Sequence, residues 1–171
     1  MTVLYSLYIQ TNIRVNDQGT ARIAGFACAT LLLGSDITSE DVNEPAEFNV
    51  SRWCSPEILH PEGFGLTKAK STKASDVYAF AMLAYEVCSL FWILNRGTRY
   101  SIRAQIFSGR LPFQNKKETA VVVTVITSDE RPPRPAHPQL SDELWEMIEK
   151  CWRRDPSQRP TIQEIVDFLE K

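Results

Sequence analysis

Residues Cys151-Trp152-Arg153-Arg154-Asp155-Pro156-Ser157-Gln158-Arg159-Pro160 separate two amphipathic patterns, and the rest of the chain is read outward from them. Upstream, Leu144, Met147, Ile148, Cys151 and Trp152 recur at helical spacing behind Ser141, a suitable N-cap. Asp155-Pro156 stops that helix, because proline has no N–H to donate and its ring clashes with the preceding turn. Downstream, Thr161 and Glu164 have capping-box spacing, and Ile162, Ile165, Val166 and Leu169 share one face. Two helices joined by a proline-bounded turn are expected.

Further upstream, Ser75 is a plausible N-cap, Asp76 puts negative charge on a first helical turn, and Val77 to Val87 is apolar on nearly every side. Such a helix belongs in the middle of a domain. Val121-Val122-Val123-Thr124-Val125-Ile126 is ambiguous, since β-branched residues favour a strand while Asn115 with Glu118 looks like a helix N-cap and its N3 acid. Arg131 to Pro138 is proline-rich and must extend or turn. Its Pro132-x-x-Pro135 also fits a ligand of an SH3-type domain, although a plain connection is the simpler reading. Near the start, Ile13-Arg14-Val15, Asn16-Asp17-Gln18-Gly19 and Thr20 to Ala24 read as a small β-hairpin. Gly25 to Arg52 keeps no period and is expected to be one long irregular loop, with an acidic run from Asp36 to Glu47 that reads as solvated.

With 171 residues and a net charge of -2, the chain suits one domain with one core, and it has no basic field for nucleic acid or an anionic membrane. Cys28, Cys54, Cys88 and Cys151 form no Cys-x-x-Cys pair, so they are expected to be small core residues in a reducing, cytoplasmic setting rather than metal ligands. Met1 to Gln10 has no basic flank and no small-residue cleavage site, unlike a signal peptide, and no apolar run is long enough to span a bilayer.

In order and junctions, these pieces resemble the protein kinase superfamily from the end of the catalytic loop to the end of the domain, about residues 11–171. Asn12-Ile13 and Ile23-Ala24-Gly25-Phe26-Ala27 look like the catalytic-loop asparagine and the Asp-Phe-Gly position. Arg52-Trp53-Cys54-Ser55-Pro56-Glu57 looks like the Ala-Pro-Glu end of an activation segment, about 25–57. Ser75-Asp76-Val77-Tyr78-Ala79-Phe80, Gly109-Arg110-Leu111-Pro112-Phe113, Arg131-Pro132-Pro133-Arg134-Pro135 and the opening decapeptide complete the series. Arg-Trp before Pro-Glu and Cys-Trp before Asp-Pro lean toward the tyrosine-kinase and tyrosine-kinase-like branches. The resemblance implies a mostly α, truncated kinase-like fold, the helical C-lobe with a small hairpin near the N-terminus. It also makes Lys116 to Thr127 a helix. Residues 1–10 do not match, and about 90–108 reads as an insertion, either translated intron or a lineage-specific loop.

The family's chemistry rests on positioned charges rather than covalent work by the protein. Asn12 stands at a magnesium and ATP position, but Gly25 replaces the carboxylate that holds the principal ion. Counting back from Asn12 by family spacing, Tyr5, Ser6 and Leu7 take the His-Arg-Asp positions, so an aliphatic side chain replaces the hydroxyl-orienting aspartate. Arg14 stands where the family offers an aliphatic floor to adenine, and only eleven residues precede Asn12, so no glycine-rich loop or strand lysine is expected. By resemblance, Glu57 and Arg159 form an ion pair between the activation segment and the last helices, Asp76 supports the catalytic-loop backbone and Phe26 is structural.

The reading is thus a kinase-like fragment without phosphoryl transfer, a pseudokinase that binds a protein partner through exposed C-lobe surface. Uncovered apolar surface is expected along its central helix. No cofactor is expected in this chain; ATP and magnesium enter by family resemblance only. The alternative is an active ATP-dependent serine/threonine or tyrosine kinase whose N-lobe and catalytic loop are missing from this reading of the gene. A helical interaction module unrelated to kinases would require Glu57 and Arg159 to lie apart.

Overall fold

The computed structural model of the chain describes residues 2–5, 13–15, 21–23, 29–32, 51–94, 111–136 and 140–170. Four short strands come first, β1 (Thr2–Tyr5), β2 (Ile13–Val15), β3 (Ala21–Ile23) and β4 (Ala29–Leu32). β2 and β3 form the expected antiparallel hairpin, with Ile13 opposite Ile23 and Arg14 opposite Arg22. β1 and β4 form a second antiparallel ladder, Thr2 opposite Leu32 and Tyr5 opposite Ala29. That ladder corrects the expectation of an unbroken loop after Gly25. A four-residue strand is too short to show alternation, and its partner lies far away in sequence.

Among the described residues five α-helices follow: α1 (Pro56–Leu59), α2 (Lys73–Leu94), α3 (Glu118–Thr127), α4 (Asp142–Cys151) and α5 (Ile162–Leu169), with 3-10 turns at Pro61–Phe64 and Pro156–Gln158. The described residues are thus mostly helical. From Ala74 to Glu86 no residue of α2 is exposed. Tyr78, Ala81 and Met82 have no accessible surface, and Phe80, Leu83 and Ala84 are partly buried against the same core. Up to Glu86 the described side chains of the central helix therefore show no bare apolar surface, and among the described residues the exposed large apolar ones are Leu66, Val123, Ile162, Val166 and Leu169. Around α2 the core gathers Trp53, Phe113, Val121, Val125, Trp145, Ile148, Trp152 and Ile165. Trp152 meets Trp145 edge-on, with ring centroids 5.4 Å apart, an arrangement the ring quadrupoles favour. Each large aliphatic side chain so buried contributes about 1.5–3 kcal/mol.

Helix starts agree with the sequence in two places and differ in two. Ser141 Oγ accepts from Leu144 N, and Thr161 and Glu164 close a complete capping box. Ser75, however, is not the N-cap of α2. Thr72 is bonded reciprocally to it, Ser75 N donating to Thr72 Oγ1 at 3.1 Å and Thr72 N to Ser75 Oγ at 2.8 Å. At α3 the N-cap is Lys117, with no side-chain bond, and Glu118 opens the helix. Asn115 lies in the preceding turn, where Lys116 N donates to Phe113 O. The β-branched run is helical, as the resemblance implied, because Val121 and Val125, four apart, both enter the core. Helix α2 continues to Leu94, into the stretch read as an insertion.

Candidate functional site

Leu7, Asn12, Gly25 and Phe26, the positions on which the catalytic reading depends, lie outside the described residues, as does the acidic run. Arg14 is described as part of β2, opposite Arg22, whose side chain is exposed.

Two arginines organise the rest. Glu57, in the first turn of α1, and Arg159, just past the second 3-10 turn, are joined in a bidentate pair at 2.6 and 2.8 Å. Their side chains are 4% and 0% exposed, a depth at which an ion pair is stable only if its remaining donors are also satisfied. They are. Arg159 Nε donates to Arg153 O, Nη1 also to Ala74 O and Nη2 also to Arg154 O, so all five guanidinium N–H groups have acceptors. One cation thus fastens α1, the start of α2 and the turn after α4. Tyr78 lies under this guanidinium at 5.2 Å and under that of Arg131 at 5.4 Å. Burial pushes the Tyr78 hydroxyl pKa upward, against the lowering effect of the two arginines. Asp76 lies half-buried in the first turn of α2.

The second centre is Arg52, which sequence reasoning passed over except as part of a motif. Its Nη1 donates to Pro112 O at 2.8 Å and Phe113 O at 2.6 Å, its Nη2 to Lys116 O at 2.6 Å, and its Nε pairs with Glu118 at 2.5 Å. Phe113 has φ 54°, a left-handed conformation that costs a side-chain-bearing residue about 1–2 kcal/mol. The Arg52 bond to its carbonyl helps to hold it there. No local signal announces this contact, because a lone arginine before Trp53 says nothing of a partner in a turn so far along the chain.

A cleft of about 720 Å³ opens beside this frame, lined among others by Phe64, Asp129, Arg131, Trp152 and Arg154. Its charges are mostly spent internally. Arg131 binds Asp129 at 2.7 Å and Trp152 O at 2.9 Å, while Arg154 donates to Ile126 O and lies over the Phe64 ring. Asp155 is occupied by Ser157, whose hydroxyl and backbone N–H keep its carboxyl below the usual range. Burial pushes the thiols of Cys54 and Cys151 up to about 12, the reverse of an activated nucleophile. Among the described residues no group of three or more metal-ligating side chains occurs, and no helix is long and apolar enough to cross a membrane. Pro132 is buried, so Pro132-x-x-Pro135 cannot present both prolines to an SH3-type groove while the fold is intact.

What these centres do is fix one loop-to-helix frame. The family model for protein tyrosine and serine/threonine kinases matches residues 9–169. The dual specificity protein kinase pyk3 of Dictyostelium discoideum is 31% identical over 159 residues, 93% of this chain and 9% of that protein. Two proteins of Arabidopsis thaliana are also similar. The serine/threonine-protein kinase STY17 is 24% identical and the serine/threonine/tyrosine-protein kinase HT1 27% identical, each over 162 residues and 94% of this chain. The chain spans 22% and 32% of their respective lengths.

Proposed function

Since the chain belongs to the protein tyrosine and serine/threonine kinase family, we propose that its domain keeps the C-lobe frame but does not transfer phosphate, and acts by binding a protein partner. The observation that carries this reading is Gly25, which lies inside the matched range and replaces the carboxylate on which the principal magnesium ion depends. Hydrogen cannot stand in for a carboxylate. Leu7, two positions before the match begins, adds the loss of the hydroxyl-orienting acid. Losing one preorganised electrostatic contact costs about 3 kcal/mol of transition-state stabilisation, and parts acting as a unit fail together. ATP and magnesium are the cofactors of the family's chemistry; of the residues that would hold them, this sequence offers Asn12 alone. A cytoplasmic location belongs to the same proposal.

Incubating the purified chain with magnesium and γ-labelled ATP, with serine, threonine and tyrosine peptides as acceptors, tests the reading. No transfer and no nucleotide binding at millimolar ATP are expected. Labelled acceptor above the level of a heat-denatured control overturns it. A second reading, an active kinase with its other parts encoded outside this sequence, is favoured by the small share of each relative that the chain spans. An upstream reading frame with a glycine-rich loop and a strand lysine supports it, and the longer product then becomes the one to assay.

A further inference from the structure

Between the 3-10 turn at Pro61–Phe64 and helix α2 the chain runs through Gly65-Leu66-Thr67-Lys68-Ala69-Lys70-Ser71-Thr72 without helix or strand. Gly65 to Lys70 are all exposed, the longest such run among the described residues. The two ends of this stretch are tied. Gly65 N donates to Glu62 O at 3.1 Å and Leu66 N to Pro61 O at 3.0 Å, while Thr72 is held by its reciprocal bonds with Ser75. Between the ends, Thr67, Ala69, Lys70 and Ser71 form no backbone–backbone hydrogen bond among the described residues. Exposed backbone without internal partners suits an endopeptidase, which binds its substrate as an extended strand through those same N–H and C=O groups.

Lysine marks where such an enzyme would cut. The loop holds Lys68 and Lys70 and no arginine, and no acidic residue lies between Gly63 and Ser75. A peptidase whose specificity pocket carries a carboxylate accepts the ammonium group of lysine, and this loop presents no carboxylate of its own to repel it. Apart from Lys171 at the end of the sequence, the other lysines are Lys73, Lys116, Lys117 and Lys150, and each sits on engaged backbone. Lys73 opens α2, and the next carbonyl, Ala74 O, accepts from Arg159. Lys116 O accepts from Arg52 Nη2 at 2.6 Å, Lys117 O accepts from Val121 N at 3.0 Å, and Lys150 lies in the last turn of α4.

We propose that Gly65–Ser71 is a cleavage site for a lysine-directed endopeptidase, with the cut after Lys70 or Lys68, and that the cut domain stays assembled as two pieces. At Lys70 the hydroxyl of water bonds to the carbonyl carbon as the bond to Ser71 N breaks. The remaining hydrogen of the water goes to that nitrogen, and the new acid then gives its proton to the amine, leaving a carboxylate and an ammonium group. What holds the pieces together lies on both sides of the cut. Glu57 belongs to the first piece and Arg159 to the second, and Arg52 of the first binds Pro112 O, Phe113 O, Lys116 O and Glu118 of the second. Trp53 of the first piece is buried in a core drawn mostly from the second. The Thr72–Ser75 bonds at the start of α2 lie beyond the cut and survive it. The inference goes beyond the proposed function and does not rest on it, since phosphate transfer, lost or kept, leaves this loop as it is.

The test is brief digestion of the folded full chain with a lysine-specific endopeptidase, read by mass spectrometry and by size-exclusion chromatography with and without urea. Pieces ending at Lys68 or Lys70 are expected before any cut after Lys73, Lys116, Lys117 or Lys150. They should co-elute at the volume of the uncut chain and separate in urea. Lys68→Arg with Lys70→Arg keeps the charge but removes the cleavable residue, so the first cut should slow about tenfold or more, to the pace at which other sites open. Lys117→Arg, at an exposed position just before α3, should leave the first cut unchanged. If the double variant melts earlier than the parent, the order of cuts in the parent decides alone. A first cut at any other lysine, a stable double variant digested at the parent's rate, or pieces that part in buffer without urea would each overturn the proposal.

Discussion

At the scale of single residues, stability is concentrated in the two arginines. Arg159→Met keeps much of the side-chain volume but leaves the Glu57 carboxylate buried without its cation, and three backbone carbonyls lose a donor. Breaking a buried pair in this way costs about 3–5 kcal/mol, so urea unfolding of Arg159→Met should show most of the stability gone. Phe113 allows a sharper test, because its ring is 8% exposed while its φ is 54°. Removing the ring costs about 3–5 kcal/mol, but glycine also relieves about 1–2 kcal/mol of backbone strain that alanine retains. Phe113→Gly should therefore be destabilised yet remain about 1 kcal/mol more stable than Phe113→Ala, the opposite of the order at an ordinary position. Equal denaturation midpoints for the two would contradict the strained backbone. Of these residues Glu57 and Arg159 were legible as a pair only through the family resemblance. Arg52 was not legible at all, since its acceptors are mostly backbone carbonyls, which no side-chain code specifies.

At the scale of elements, local chemistry was readable where the signals were short-range. Ser141 and the Thr161–Glu164 box stand where spacing put them, and Thr161→Ala should lower stability by about 1 kcal/mol through loss of the cap, measurable as a shift in denaturation midpoint at unchanged slope. Asn115 shows where short-range reading fails. It has the right spacing from Glu118, but Arg52 takes hold of that acid and of the Lys116 carbonyl, so the helix begins later. The valine run of α3 favours a strand by propensity; two valines four apart reach the core only in a helix, and packing decides. The β1–β4 ladder was missed for a different reason, its two halves being separated by the whole first hairpin. For α5 the helical period and the shared apolar face were right, but periodicity does not say how much of such a face the core uses, and Ile165 is its one buried residue among those described.

For the whole molecule, the buried acids that stay neutral set an alkaline limit. Cys54 and Cys151 are pushed up to about 12 by burial, and Tyr78 is raised for the same reason. In the unfolded chain the thiols ionise near 9.0, so their contribution is complete below that pH and is lost as pH rises toward 12, where the unfolded state holds fewer protons. Each fully mismatched thiol steepens the decline by about 1.4 kcal/mol per pH unit. Cys151→Ala should flatten the fall in stability above pH 9 relative to the parent; an identical slope would show that this thiol is not held protonated. The general architecture, a helical lobe around one shielded helix, was readable from six short motifs in order, while the surface that remains exposed was not, since it depends on how helices are rotated rather than on where they lie. The link between Glu57 and Arg159 spans 102 positions, and so it also imposes an order on biosynthesis. A nascent chain has nothing to close this clasp until its arginine has left the ribosome, so any product stopped before position 159 carries a stranded carboxylate and an open lobe, a ready target for cellular proteases.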